Sequence, residues 1–106
     1  MNKTDLKGIM ALSWGFVKRN GFSRSEALKT AWANYLLRKK MLDGIVRFYF
    51  RKVDGTTREA WGTLASNLIP PVKGVDRKPN PTVQTFYDTE KAEWRSYKIA
   101  NLISIA

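Results

Sequence analysis

The sequence has 106 residues, of which 43% are apolar and thirteen are aromatic, enough for one modest hydrophobic core and unlike the polar, aromatic-poor composition of disordered chains. It contains no cysteine and no histidine, which removes disulfides, thiolate chemistry, the commonest general base and the commonest metal ligand, so neither an enzyme nor a cofactor is expected. Nineteen Lys and Arg against nine acidic residues leave a net charge of +10, which bears on partners rather than on fold and points first to nucleic acid.

The excess is not confined to a tail. Residues 1–43 carry nine positive and three negative charges, and residues 44–106 carry ten and six. No apolar stretch approaches the ~20 residues needed to cross a bilayer, and the first residues lack the basic-then-apolar layout of a secretory signal. A soluble, cytoplasmic protein with no membrane partner is the expectation.

Thr4 is placed to cap a first helix running to Asn20, with Asp5 in its first turn and Lys18, Arg19 and Gly21 suited to its end. Leu6, Ile9, Met10, Phe16 and Val17 fall at mostly helical spacings, and Leu12 and Trp14 widen the stripe, so packing on two sides is expected. Ser23-Arg24-Ser25-Glu26 is a capping box, in which the Ser23 hydroxyl accepts from the Glu26 amide and the Glu26 carboxylate reaches back to the Ser23 amide. It predicts a second helix from about Arg24 to Met41, with Leu28, Ala31, Trp32, Tyr35 and Leu36 on its apolar face.

At Asp43-Gly44 the period changes. Val46, Phe48 and Phe50 alternate with Arg47, Tyr49 and Arg51 to give a strand with one apolar face, and Asp54-Gly55 marks a hairpin to a return strand through Arg58, Ala60, Gly62 and Leu64. A two-residue turn would pair Phe50 with Glu59 and aim that carboxylate at the core. A three-residue turn with a left-handed bulge at Gly55 pairs Phe48 with Ala60 and Val46 with Gly62 instead, and is preferred. It sets Arg47 across from Trp61 with Tyr49 beside them, outside the core.

Residues 65–82 hold all four prolines, at 70, 71, 79 and 81, interspersed with Lys73, Arg77 and Lys78, and read as a basic loop able to lie along a phosphate backbone. Val83 to Tyr87 and Glu93 to Ile99 read as two further strands around a turn at Asp88-Thr89-Glu90-Lys91, and Leu102, Ile103 and Ile105 close the chain with a short apolar segment. The acids do not converge on a cleft: Asp54 and Asp88 fall in turns, Glu26 in a cap, Glu59 and Glu93 among cations. The architecture expected is α+β in a single domain, a helical segment over 1–43 and a β-domain over 44–106.

The run VRFYFRKVDGTTREAWGTL at 46–64, followed by FYDTEKAEWRSYKIANLISI at 86–105, resembles the small WYL-like family of SH3/Sm-type β-barrels of bacterial and phage proteins. The likeness rests on the aromatic strand, Asp54-Gly55-Thr56, Arg58-x-Ala60-x-Gly62-Thr63, Phe86-Tyr87-Asp88, and Trp94-Arg95-Ser96-Tyr97 ahead of Asn101-Leu102. The helical lead-in from Ser25 through Trp32 looks like the segment that precedes this barrel. The resemblance implies a five-stranded, partly open SH3/Sm-like barrel after two helices. It also implies recognition of nucleic acid or nucleotides through basic and aromatic side chains, with Arg58, Arg95 and Tyr97 at matching positions. The separate DNA-binding domain of the larger proteins has no counterpart among the two helices.

The reading that follows is a small basic accessory or regulatory protein of phage or mobile-element origin, binding single-stranded or structured nucleic acid. Its contacts would be Arg47, Tyr49, Arg51, Arg58, Trp61, Lys73, Arg77, Lys78, Arg95 and Tyr97, by phosphate neutralisation and base stacking. The alternative is a protein-interaction module, for instance a phage inhibitor of a host defence complex, docking on an acidic protein surface. No metal site is expected. The capping box yields the first test: Ser23→Ala should lower stability by about 1 kcal/mol in thermal or urea unfolding, and an unchanged melting temperature would place the start of the helix elsewhere.

Overall fold

The computed structural model describes residues 3–70 and 82–106. Its two helices are α1, Lys3–Asn20, and α2, Arg24–Asp43. Thr4 lies inside α1 rather than capping it, because the helix already includes Lys3. At the second start the Ser23 hydroxyl accepts from the Glu26 amide at 3.2 Å. The reciprocal arm differs from the expected box: the hydroxyl donates to Glu26 Oε1 at 2.9 Å, so the carboxylate holds the capping side chain instead of the Ser23 amide.

The buried face of α2 is also rotated from the expected one. Ala27, Ala31, Asn34, Leu37 and Met41 are buried, whereas Leu28 and Leu36 are exposed and Trp32 and Tyr35 flank the core. Two alanines and an asparagine carry little hydropathy, so the pattern of large apolar residues pointed to the neighbouring face. Small residues let adjacent elements approach closely, and the asparagine is compensated by hydrogen bonds. Asn34 Nδ2 donates to the Thr30 carbonyl within the helix and to the Ile99 carbonyl, both at 2.8 Å, while Oδ1 accepts from the Tyr97 hydroxyl at 2.7 Å.

Five strands follow: β1 Val46–Arg51, β2 Thr57–Thr63, β3 Val83–Asp88, β4 Glu93–Lys98 and β5 Leu102–Ile105, with a 3-10 turn at Ile99–Asn101 between the last two. All pairings are antiparallel and the order is β4-β3-β2-β1-β5. The expected terminal fragment is thus a true fifth strand against β1. Among the described residues β4 and β5 do not pair, so the sheet is open rather than a closed barrel.

The β1–β2 register is the bulged one, with Val46 opposite Gly62, Arg47 opposite Trp61 and Phe48 opposite Ala60. Gly55 donates to the Lys52 carbonyl at 2.9 Å and Lys52 to the Thr56 carbonyl at 2.7 Å. With φ at +92°, Gly55 occupies the left-handed region that a side chain disfavours. Gly62 meets a different demand, because a Cβ there would lie 2.7 Å from Phe86 Cδ2 and 3.0 Å from Phe48 Cε1. Phe48, Phe50, Phe86 and Tyr97 form one aromatic cluster, with ring centroids from 5.2 to 6.4 Å apart. The core continues into Ile9, Phe16, Leu37 and Met41 of the helices.

By contrast with β1–β2, the β2–β3 seam is short, with only Gly62 opposite Asp88 and Thr63 opposite Tyr87. On the inner side, residues 50–54 at the β1–β2 hairpin tip and residues 95–98 of β4 line the two sides of a cleft.

Tyr97 is 3% exposed, and burial pushes its phenol above the usual range, so it stays protonated and serves as donor to Asn34. Tyr97→Phe and Asn34→Ala should therefore be coupled. In a double-mutant cycle read by urea unfolding we expect about 1 kcal/mol of interaction energy; additive costs would show that the pair does not join α2 to the sheet.

Candidate nucleic-acid interface

Strand alternation sorts the candidate residues onto two faces. Arg47, Tyr49 and Trp61 lie outside the sheet, as the bulged register implies. Arg58, which sits opposite Phe50, and Arg95, which sits opposite Phe86, share the inner face with the core.

The outer group is a closed network rather than a free cationic patch. Arg47 Nε and Nη2 donate to Glu59 Oε2 at 2.9 and 2.6 Å, and the Tyr49 hydroxyl donates to the same oxygen at 2.8 Å. The Arg47 guanidinium also lies 5.6 Å from the Trp61 ring and 5.5 Å from the Tyr49 ring. The Tyr49 hydroxyl, and after it Arg47, holds the Glu59 carboxyl below its usual range, while Glu59 raises the Arg47 guanidinium. Charge is balanced here by Glu59, which the bulged register put on this face without assigning it a role. Trp61 is neither a free platform nor a core residue: it is half-buried, with Arg47 over its ring. Farther along the outer face Tyr87 and Trp94 pack edge to face at 5.5 Å, with Trp94 39% exposed.

The inner group has a different counter-ion. Asp88, 1% exposed, accepts from Arg58 Nη2 at 3.1 Å through Oδ2, and Arg95 Nε lies 3.6 Å from the same oxygen. Oδ1 accepts from the amides of Glu90 and Lys91 at 3.0 and 3.2 Å, so one carboxylate both closes the β3–β4 turn and orders two guanidiniums. Arg95 also bonds Glu93 through Nη2, yet its buried Nε has no hydrogen-bond partner. The guanidiniums keep partial access to solvent, at 20% for Arg58 and 33% for Arg95.

Beside this trio the space between the β1–β2 hairpin tip and β4 forms a cavity of about 700 Å³, lined by Arg51, Lys52, Arg58, Arg95 and Lys98 over a floor that includes Phe50 and Tyr97. Its lining holds one acid, Asp54, whose carboxyl the Thr56 hydroxyl and amide hold below the usual range. Arg58 and Arg95 are paired with Asp88 and Glu93, while Arg51, Lys52 and Lys98 make no ion pair among the described residues and leave the pocket suited to an anion. Among the described residues no cluster of acids is arranged to hold a metal ion, and no helix is long and apolar enough to cross a membrane.

Of the ten candidate residues, Arg51, Arg58 and Arg95 converge on this cavity. Tyr97 also reaches it, as a buried floor whose hydroxyl is committed to Asn34. Lys73, Arg77 and Lys78 lie outside the described residues. Lys52 and Lys98 escaped the sequence reading because each is an unremarkable surface lysine until the hairpin tip and β4 are brought together. Asp88 was read as a turn residue. The spacing Asp88-x-Glu90-Lys91 signals the turn, but nothing local signals two arginines from distant strands.

Asp88→Asn keeps an oxygen for the turn amides but offers no charge to Arg58 and Arg95. We expect a loss of roughly 2–3 kcal/mol in urea unfolding, toward the lower end for an ion pair with partly solvated guanidiniums; a loss below the error of the measurement would mean that water already compensates both cations.

No curated protein and no solved structure matches the chain. A family model does, over residues 34–103: WYL_2, described as an Sm-like SH3 beta-barrel fold. That span begins at Asn34, the residue that ties α2 to the sheet, takes in the cationic cleft and all five strands except the last residues of β5, and establishes that the chain belongs to the WYL_2 family.

Proposed function

We propose that this chain is a nucleic-acid-binding accessory or regulatory protein that takes the phosphates of single-stranded or structured nucleic acid in the cleft between the β1–β2 hairpin tip and β4. The observation that carries this reading is the convergence of Arg51, Lys52, Arg58, Arg95 and Lys98 on one cavity with Asp54 as its single lining acid. Asp88 orients Arg58 and Arg95 before any ligand arrives, which lowers the entropy lost on binding. Arg51 and Lys98 make no ion pair among the described residues and supply mobile charge at the rim. Phosphate neutralisation thus dominates, and stacking on Tyr97 plays no part.

A second reading has its own support. The outer face is charge-balanced by Glu59 and presents Tyr87 and the exposed Trp94, which suits a protein partner better than a polyanion.

Salt and one pair of variants separate the two. If about four phosphates are contacted, log K for a single strand should fall with log salt at a slope of roughly −3. Lys98→Ala should weaken binding and flatten the slope by about 1, and Trp94→Ala should change neither. A flat salt response would overturn the nucleic-acid reading, and a nuclease-insensitive complex with a protein that Trp94→Ala abolishes would favour the second.

A further inference from the structure

A second cavity, of about 430 Å³, lies where the end of α1 meets the β1–β2 hairpin tip and the 3-10 turn, and Arg19, Arg51, Lys52 and Lys98 are its charged lining residues. Arg51, Lys52, Val53, Lys98 and Asn101 line both this cavity and the cleft between the β1–β2 hairpin tip and β4. The two are therefore the halves of one depression divided by a ridge of shared cations, with Arg58 and Arg95 at one end and Arg19 at the other. Arg19 makes no ion pair among the described residues. As a last-turn cation it complements the helix dipole, which accounts for its charge but not for its place on the wall of this cavity.

Each half has the size of a pocket that accepts one small organic ligand, ~300–1,000 Å³. A mononucleotide held by Arg58 and Arg95 would leave the second half and its cation unused. A duplex is too wide to enter either half. A flexible single strand places one phosphate on each successive nucleotide and has the repeat that a line of cations needs. We propose that the ligand of this groove is a single strand several nucleotides long, laid from the Asp88-ordered arginines over the hairpin tip to Arg19, so that the helical hairpin forms part of the binding surface. This inference rests on the reading of the cleft as a phosphate site and extends it in length, direction and ligand class.

Labelled oligothymidylates of two, four and eight nucleotides, titrated by fluorescence anisotropy at ~50 mM salt, test it. Affinity should rise from the dinucleotide to the octanucleotide. Arg19→Ala should weaken the octanucleotide roughly tenfold and reduce its salt slope by about 1, while leaving the dinucleotide unchanged. Lys29→Ala makes the same change in net charge at an exposed α2 position outside both cavities and should leave every titration unchanged. Equal affinity at all lengths, or an octanucleotide indifferent to Arg19→Ala, would overturn the groove and leave the phosphate cleft standing. An equal loss in Lys29→Ala would overturn it too, by showing that net charge alone is responsible. If no oligonucleotide binds at any length, the cleft reading and the groove fall together.

Discussion

Everything in this fold is referred to one buried asparagine. Asn34 satisfies the Ile99 carbonyl where β4 has just ended and accepts the Tyr97 hydroxyl from within the sheet, while its own helix takes up its remaining amide hydrogen through Thr30. A polar side chain in the middle of a core is tolerated only with its donors and acceptor used, and that requirement has one solution in distance and angle. Hydrophobic burial would let α2 slide along the aromatic cluster. The two hydrogen bonds that leave the helix, with the Met41 carbonyl accepting from the Leu64 amide and the Thr63 hydroxyl at its far end, pin it at one depth and one rotation, and with it the floor of the cleft, because Tyr97 belongs to both.

That dependence also explains which parts of the structure were legible in the sequence. The β1–β2 hairpin could be read to the register, because strict alternation, Asp54-Gly55 and the cost of turning Glu59 inward left one consistent pairing. The helix boundaries followed from local chemistry at Ser23 and Glu26 and at the cationic end of α1. The rotation of α2 did not, because its buried face consists of two alanines, an asparagine and two large residues at its far end. Hydropathy ranks Leu28 and Leu36 above Asn34, and only the partner strand reverses that order. The resemblance implies a partly open barrel, and the sheet is open where its two edge strands, β4 and β5, do not pair with each other among the described residues.

The site was legible as a set of residue types and illegible as a set of partners. Arg47 and Arg58 are equivalent in sequence, each an arginine among aromatics in a strand. Strand parity puts one beside Glu59 in water and the other against a buried Asp88, so the two arginines end on opposite faces of the sheet with different counter-ions. Tyr97 lies in the floor of the cleft for the same kind of reason: its parity directs it inward. Lys52, Lys98 and Arg19 come from a turn, a strand end and a helix end, and their proximity is a property of the tertiary structure alone.

The brevity of the β2–β3 seam has a consequence for what positions the cleft. The β3–β4 hairpin joins the remaining sheet through two residue pairs, the Thr89 amide on the Trp61 carbonyl and the Arg58–Asp88 ion pair, whereas β1 is zipped to β2 along its whole length. What holds the hairpin otherwise is the core, through Phe86 and Tyr97 in the aromatic cluster and the Tyr97 hydroxyl on Asn34. The position of Arg95 and Lys98 relative to Arg51, Lys52 and Arg58 is therefore set by packing beneath the cleft more than by strand pairing beside it. A polyanion bridging the cleft would bind only this packed arrangement and, by mass action, would act as a stitch between its two sides.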